Sequence, residues 1–178
     1  GMDISKPAAN MVIDIGGGTT DIAILSLNDI VTSTSVRIAG NVFDQDIIKY
    51  IKEKYKLLIG ERTAEDIKIN FANVNKPDKK EKLEVRGRNL ITGLPHTIEI
   101  TQDETEEALH ESIYKIVKAT TNVLEQTPPE LSGDIVEKGV VLTGGGAMLK
   151  GLQELLEKEL NIPVLIATSP LTCVVEGT

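Results

Sequence analysis

Two runs of three glycines, each reached from a short apolar stretch, constrain this chain more than any other feature. The first is Met11-Val12-Ile13-Asp14-Ile15 running into Gly16-Gly17-Gly18-Thr19-Thr20-Asp21. The second is Gly139-Val140-Val141-Leu142-Thr143 running into Gly144-Gly145-Gly146-Ala147-Met148. A buried strand that stops at consecutive glycines delivers bare backbone to one end of a sheet. Without Cβ, that backbone approaches a ligand closely and adopts positive φ freely. A turn of such residues points successive N–H groups at one anion. Thr19 and Thr20 add hydroxyl donors, and Asp14 at a strand end is placed to hold a hydrated Mg²⁺. The second triplet leads toward a helix N-terminus, where an anion is favoured. The competing readings are a plain hairpin turn needing positive φ and a tight strand-to-helix turn. Two triplets, each at a strand end, favour a nucleotide site over coincidence. Neither fits the P-loop spacing, and neither gives G-x-G-x-x-G with a ribose-binding acid, so the architecture is a different one.

The rest of the chain supplies the frame. Ile22 to Leu27 and Ile30 to Ile38 read as second and third strands, so the chain opens with a three-stranded meander. Phe43, Ile47, Ile48, Ile51 and Tyr55 recur at helical spacing, and Gly60 is expected to end that helix. Thr63-Ala64-Glu65-Asp66 resembles a capping box ahead of a short second helix. Asn73 to Lys82 reads as an exposed turn, and Leu83 to Arg86 and Thr97 to Ile100 as strands. Thr101 to Glu104 is a better capping box, opening a long helix with a stripe of Leu109, Ile113, Ile116, Val117, Thr120 and Leu124 and ended by Pro128-Pro129. A strand at 139–143, a helix carrying Leu149, Leu152, Leu155, Leu156 and Leu160, and a strand at 163–167 follow. Ser169-Pro170 reads as the start of one more helix. The order is β-β-β, an inserted α/β lobe, then α-β-α-β-α. It predicts an α/β fold of ribonuclease-H-like type: a mixed sheet with helices on both faces. Residues 10–39 with 102–178 form the main lobe and 40–101 the inserted one. Residues 1–9 are a lead-in, where Gly1 before Met2 reads as a remnant of tag removal.

Composition excludes several functions. The net charge of −8 repels nucleic acid and anionic membranes at long range. With no Trp, two Phe and three Tyr, a base-stacking platform is not expected either. Cys173 is the single cysteine, which rules out an internal disulfide and a multi-cysteine zinc site. His96 and His110 are too isolated for a zinc or triad argument, and no G-x-S-x-G elbow is present.

On this order of elements, Asp14–Asp21 and Val141–Met148 resemble the second phosphate motif and the adenosine motif of the actin/Hsp70/sugar-kinase superfamily of ATPases. Further stretches narrow the resemblance. Val36-Arg37-Ile38-Ala39-Gly40-Asn41-Val42-Phe43-Asp44, Ile59 to Lys68, Val85 to Leu90, Pro128-Pro129-Glu130-Leu131 and Pro170-Leu171-Thr172-Cys173 are similar to the bacterial actins of the MreB/Mbl family. The resemblance covers nearly the whole chain from Val12 onward. Ala39, where that family usually has a glycine, and Asp21, where it commonly has Glu, are departures that should leave binding intact.

The resemblance implies ATP and Mg²⁺ as cofactors. Gly16, Gly17, Gly18 and Thr19 would hold the β- and γ-phosphates. Asp14 would sit near the metal, and Thr19 would help to place the attacking water. Glu65 and Lys68, three apart on one helical face, would contact the ribose and flank the adenine, and Gly144, Gly145 and Gly146 would pass under the nucleotide. The chain corresponds to domain II, with lobes IIA and IIB. The first phosphate loop, the water-activating glutamate and the membrane-contacting surface belong to the half before it. The family implies head-to-tail protofilaments and a RodZ-type transmembrane adaptor on lobe IIA. It also implies a cytoplasmic position at the inner face of the membrane, reached through the other half. A chaperone ATPase of the superfamily would carry a larger inserted lobe, and a small-molecule kinase a substrate pocket. A half-site is expected to bind weakly. Some three hydrogen bonds to phosphate at about 1.5–3 kcal/mol each, less association entropy, fall short of the roughly −8.2 kcal/mol of micromolar binding.

Overall fold

The computed structural model describes residues 8–27, 29–78 and 80–167. β1 (Asn10–Ile15), β2 (Thr20–Ser26) and β3 (Asp29–Val36) form the expected antiparallel meander. Two later strands, β7 (Val140–Thr143) and β8 (Val164–Ile166), join it in parallel. The result is a five-stranded mixed sheet in the order β3-β2-β1-β7-β8. Period-two alternation buries Met11, Ile13 and Ile15 of β1 and Ile22 and Ile24 of β2. Val12 and Asp14 therefore project from the opposite face, which is half-buried. The first triplet sits at the C-terminal end of β1 and the second at that of its parallel neighbour β7. This shared edge is what brings the two motifs together.

Between β3 and the later strands lie α1 (Gly40–Tyr55), α2 (Glu61–Asn70) and a separate antiparallel sheet. That sheet is β4 (Leu57–Leu58), β5 (Lys82–Asn89) and β6 (Pro95–Thr101). α1 buries Phe43, Ile47 and Ile51. It ends at Lys56, in the left-handed conformation with its N–H on the Lys52 carbonyl, and not at Gly60. Leu57 and Leu58 then pair with Asn89 and Arg88, and Gly60 is the N-cap of α2. Thr63 accordingly falls inside the first turn of α2 and caps nothing. Gly87 makes the crossing possible: a Cβ there would come within 2.4 Å of the Leu58 carbonyl oxygen.

α3 (Gln102–Glu125) opens with the reciprocal capping box of Thr101 and Glu104. It packs its apolar stripe on β2, β3 and α1. The tandem prolines do more than end it. Pro129 occupies the first turn of a further helix, α4 (Pro129–Lys138), which has Glu130 in its first turn and buries Ile135 against the core. After β7 the chain does not run straight into a helix. A 3-10 turn at Gly145–Met148 comes first, and α5 (Leu152–Leu160) begins after Gly151. The expected helix start at Ser169-Pro170, Cys173 and the Gly1-Met2 lead-in lie outside the described residues.

Candidate functional site

Local hydrogen bonding gives the first triplet its shape. The Gly16 N–H donates to the Thr19 carbonyl at 3.0 Å and closes a tight turn. The Gly16 and Gly17 carbonyls accept from the N–H groups of Gly40 at 3.0 Å and Asn41 at 2.8 Å, the first two residues of α1. Ala39, the N-cap of that helix, has no side chain able to satisfy those orphan donors. The loop does it instead, using its carbonyls. Gly17, Gly18 and Thr19 stay exposed, and among the described residues their N–H groups have no backbone acceptor. A turn with the Gly16 and Gly17 carbonyls occupied and the N–H groups of Gly17, Gly18 and Thr19 without a backbone acceptor has donors to offer an anion. The positive end of the α1 dipole lies directly behind it.

The glycines themselves separate the two triplets. None of Gly16, Gly17 and Gly18 lies in the left-handed region. A Cβ at Gly16 or Gly17 would make only ordinary contacts, the nearest at 3.5 and 3.6 Å, and at Gly18 it would meet nothing within 4 Å. The glycines do form the turn of the β1–β2 hairpin, but that turn does not need positive φ. The fold does not ask for glycine at these three positions. The second triplet is the reverse. Gly144 has φ 85 and ψ 172, and a Cβ there would lie 2.4 Å from the Ile15 carbonyl oxygen and 2.5 Å from Asp14 Oδ1. A Cβ on Gly146 would lie 2.3 Å from Ile15 Cγ2. These two glycines let the turn after β7 close on the end of β1. Gly145 is exposed between them.

Asp14 stands where the motifs meet. Its register partners are Asp21 on β2 and Thr143 on β7. Burial first, and then the negative charge of Asp21, raise its pKa above the ordinary aspartate value of 3.8. Thr19 Oγ1 donates to Asp21 Oδ2 at 3.2 Å, and the buried Thr20 hydroxyl to the Ile38 carbonyl at 2.6 Å. A cation is what such a carboxylate pair lacks. Among the described residues no three His, Cys, Asp or Glu side chains cluster as a metal cage. The donor set thus fits an ion held through one carboxylate, water and phosphate oxygens, the usual condition of Mg²⁺.

Lys68 is brought to the same place and Glu65 is not visibly so. Lys68 Nζ pairs with Asp44 Oδ1 at 2.9 Å and donates to the Gly40 carbonyl at 3.3 Å. It is one residue removed from the amides that hold the glycine loop. Glu65, one turn earlier on α2, is exposed. Asn41 is a site residue that pattern-reading missed. Its amide N–H fixes Gly17, and its side-chain oxygen would lie 3.6 Å from a Cβ on Gly17. An Asn following a Gly before a helix signals a turn, and nothing local says what the turn holds.

Comparison with known proteins places this geometry in a family. The MreB/Mbl protein family matches residues 1–178. The cell shape-determining protein Mbl of Bacillus subtilis is 57% identical over 178 residues, which are 100% of this chain and 54% of that protein. The cell shape-determining protein MreB of Escherichia coli strain K12 is 50% identical over 99% of this chain and 51% of its own length. The chain thus spans about half the length of the curated relatives it matches. Among solved structures, MreB5 of Spiroplasma citri bound to AMPPNP superposes with a TM-score of 0.94 at 40% identity. The match covers 99% of this chain and 53% of that one. The MamK double helical filament gives 0.75 at 23% identity over 91% of this chain and 50% of its own, a likeness of fold alone.

Proposed function

Because the chain belongs to the MreB/Mbl family and has its actin-like fold, we propose that it is one half of a cell-shape-determining, actin-like ATPase. In this reading it contributes the second phosphate loop and the adenosine-binding surface. The observation that carries the reading is the first triplet: three glycines that the fold does not need, with the N–H groups of Gly17, Gly18 and Thr19 bound to no backbone acceptor, beside a carboxylate with no counter-ion among the described residues. A close-lying polyphosphate accounts for all three features at once. Nucleotide also occupies the relative at 40% identity, the MreB5 structure bound to AMPPNP.

The residue roles are those that the family resemblance implies. The amides of Gly17, Gly18 and Thr19 bind phosphate oxygens, and the absence of side chains lets them reach that close. Asp14 would hold Mg²⁺ through its water, and Thr19 would help to place the attacking water. Glu65 and Lys68 flank the nucleoside, with Gly144, Gly145 and Gly146 beneath it. Mg²⁺ bound to ATP supplies charge neutralisation, while the chain supplies position and directed dipoles. Hydrolysis further needs the phosphate loop and glutamate of the other half, so this chain alone binds weakly and does not turn ATP over. The main lobe, residues 10–39 with 102–178, carries the phosphate loop; the inserted lobe, 40–101, contributes Glu65 and Lys68.

The whole protein forms protofilaments at the inner face of the membrane, joined to it through the other half and a RodZ-type adaptor on lobe IIA. It organises cell-wall synthesis in that position. The test is an amide NMR titration of this chain with millimolar ATP and Mg²⁺. Shifts should concentrate at residues 16–20 and 40–41 and near Gly144–Gly146. Their absence there, with the chain folded, removes the reading.

A further inference from the structure

The segment after α2 departs from the exposed turn expected over Asn73 to Lys82. Val74 is buried, and the backbone around it is pinned from two sides. On the α3 side, Gln102 Nε2 donates to the Phe71 carbonyl at 3.1 Å, and Gln102 Oε1 accepts from the Asp78 N–H at 2.9 Å. Thr105 Oγ1 accepts from the Asn73 N–H at 3.3 Å. On the other side stands the turn that follows the second triplet. The Lys150 carbonyl accepts from the Val74 N–H at 3.0 Å, which pairs Asn73 with Lys150 in an isolated parallel bridge. Lys150 Nζ reaches further and donates to the carbonyl of Asn70, the last residue of α2, at 2.9 Å. That carbonyl is among those a helix leaves without an internal donor, and a cation there also meets the negative end of the helix dipole. Gly151 permits the approach. It is left-handed, with φ 85 and ψ −8, and a Cβ there would lie 2.5 Å from Asn73 Oδ1 and 2.6 Å from the Asn75 nitrogen.

These contacts close a circuit around the two triplets. The Gly17 carbonyl accepts from Asn41 at the start of α1, and the neighbouring Gly40 carbonyl accepts from Lys68 on α2. α2 ends at Asn70, on Lys150. From Lys150 the chain leads back through Gly146 and Gly144 to Ile15 and Asp14, where the first triplet begins. α2 buries only Ala64 and Ile67, so little packing holds it and its seat depends on its ends. We propose that Lys150 and Gly151, acting through Asn70, Asn73 and Val74, are positioning residues for the nucleoside. They set the separation between α2, which carries Glu65 and Lys68, and the turn at Gly144–Gly146. The inference rests on the nucleotide reading above and adds residues to which no motif gives a part. The phosphate end has its own tie, the two loop carbonyls on the α1 amides. The strap therefore governs what binds between α2 and the second triplet, and not what binds the loop. Walls already held at their working separation spare the nucleoside the cost of drawing them together.

The experiment is a pair of amide NMR titrations of this chain, one with ATP and one with inorganic tripolyphosphate, each with Mg²⁺. Both ligands carry the phosphates, and only ATP carries the nucleoside. Lys150→Met and Gly151→Ala should each weaken ATP binding about two- to thirtyfold, the scale on which residues lying between two sites alter their coupling. The tripolyphosphate response of residues 17–19 should stay that of the unsubstituted chain. Lys150→Arg keeps a charged donor for the Asn70 carbonyl and should restore ATP binding. Lys150 is exposed, so Lys150→Met decides the matter even where Gly151→Ala fails to fold. Equal losses for the two ligands would make the strap a merely structural tie and overturn the proposal. ATP binding that Lys150→Met leaves intact overturns it too, and leaves the nucleotide reading standing. An unsubstituted chain whose amides do not answer ATP at all removes that reading, and this inference with it.

Discussion

Alanine at Gly18 and alanine at Gly144 should move stability in opposite directions. At Gly18 the added Cβ meets nothing within 4 Å and the backbone is not left-handed. The substitution then acts through the unfolded chain, whose lost freedom stabilises the fold by about 0.4–1 kcal/mol. For a chain of this length that raises the thermal midpoint by about 1–4 °C. At Gly144 the Cβ overlaps the Ile15 carbonyl and the Asp14 carboxylate, at a φ and ψ that only glycine adopts readily. That conformation costs a side chain about 1–3 kcal/mol, and the backbone shift needed to relieve the overlap adds about as much. The midpoint should fall by about 4 °C or more. Thermal unfolding by circular dichroism measures both. An ATP titration followed through the amides of residues 17–19 supplies the second axis. Gly18→Ala should gain stability and lose about tenfold or more in nucleotide affinity, roughly 1.4 kcal/mol. A lower midpoint for Gly18→Ala refutes the argument that the fold does not require that glycine. Unchanged ATP response refutes the argument that a ligand does.

Three further substitutions test neighbouring contacts. Asp14→Asn should stabilise the chain at neutral pH while weakening its response to ATP with Mg²⁺. The raised pKa means that Asp14 adds stability when protonated, below 3.8, and that this is lost as pH rises through its folded value; denaturant midpoints at pH 7 for both proteins check it. Asp44→Asn should cost about 1.5–3 kcal/mol by stranding Lys68, and a double-mutant cycle with Lys68→Met should show coupling where independent sites would show none. Glu104→Gln should flatten the acid limb of stability. Burial opposes ionisation of Glu104, but the hydrogen bonds from Tyr55 at 2.5 Å and from Lys54 outweigh it and hold the pKa below 4.5. Its contribution is present above 4.5 and lost as pH falls through the folded value; a parallel fall in both proteins from pH 5 to 2 would contradict this.

Much of this was legible in the sequence where one local rule had no competitor. The strands around both triplets and the Thr101 capping box follow from alternation and capping alone, and each is in place. The errors share a cause, which is a residue able to serve two ends. Gly60 suits a helix C-terminus and an N-cap equally. What decides is Leu57 and Leu58 pairing with Asn89 and Arg88, some thirty residues later, which no local window contains. Pro129 ends one helix and begins the next, and only burial of Ile135 makes the second worth forming. At the site, the glycine triplets announced themselves. The reason for each did not, because it depends on what a Cβ would strike. Asn41 and the Asp44–Lys68 pair were invisible because their partners come from other elements.

The charge of the site leads to one more expectation. Asp14 and Asp21 face each other across β1 and β2, on a chain of −8, at the place where a polyphosphate would bring further negative charge. The offsetting groups are the loop amides, the α1 dipole and Lys68. Two of the α1 amides are occupied by loop carbonyls, and Lys68 is already paired with Asp44. Dipoles and one neutralised cation do not balance two carboxylates and three phosphates, so on the proposed reading a divalent cation is expected to accompany the nucleotide. ATP with Mg²⁺ should therefore shift the amides of residues 17–19 at concentrations where ATP with EDTA scarcely does. Mg²⁺ alone should move residues near Asp14 weakly and leave Gly18 unmoved. Equal titrations with and without the metal would mean that the loop amides suffice. Asp14 would then be a structural carboxylate whose raised pKa serves no ligand.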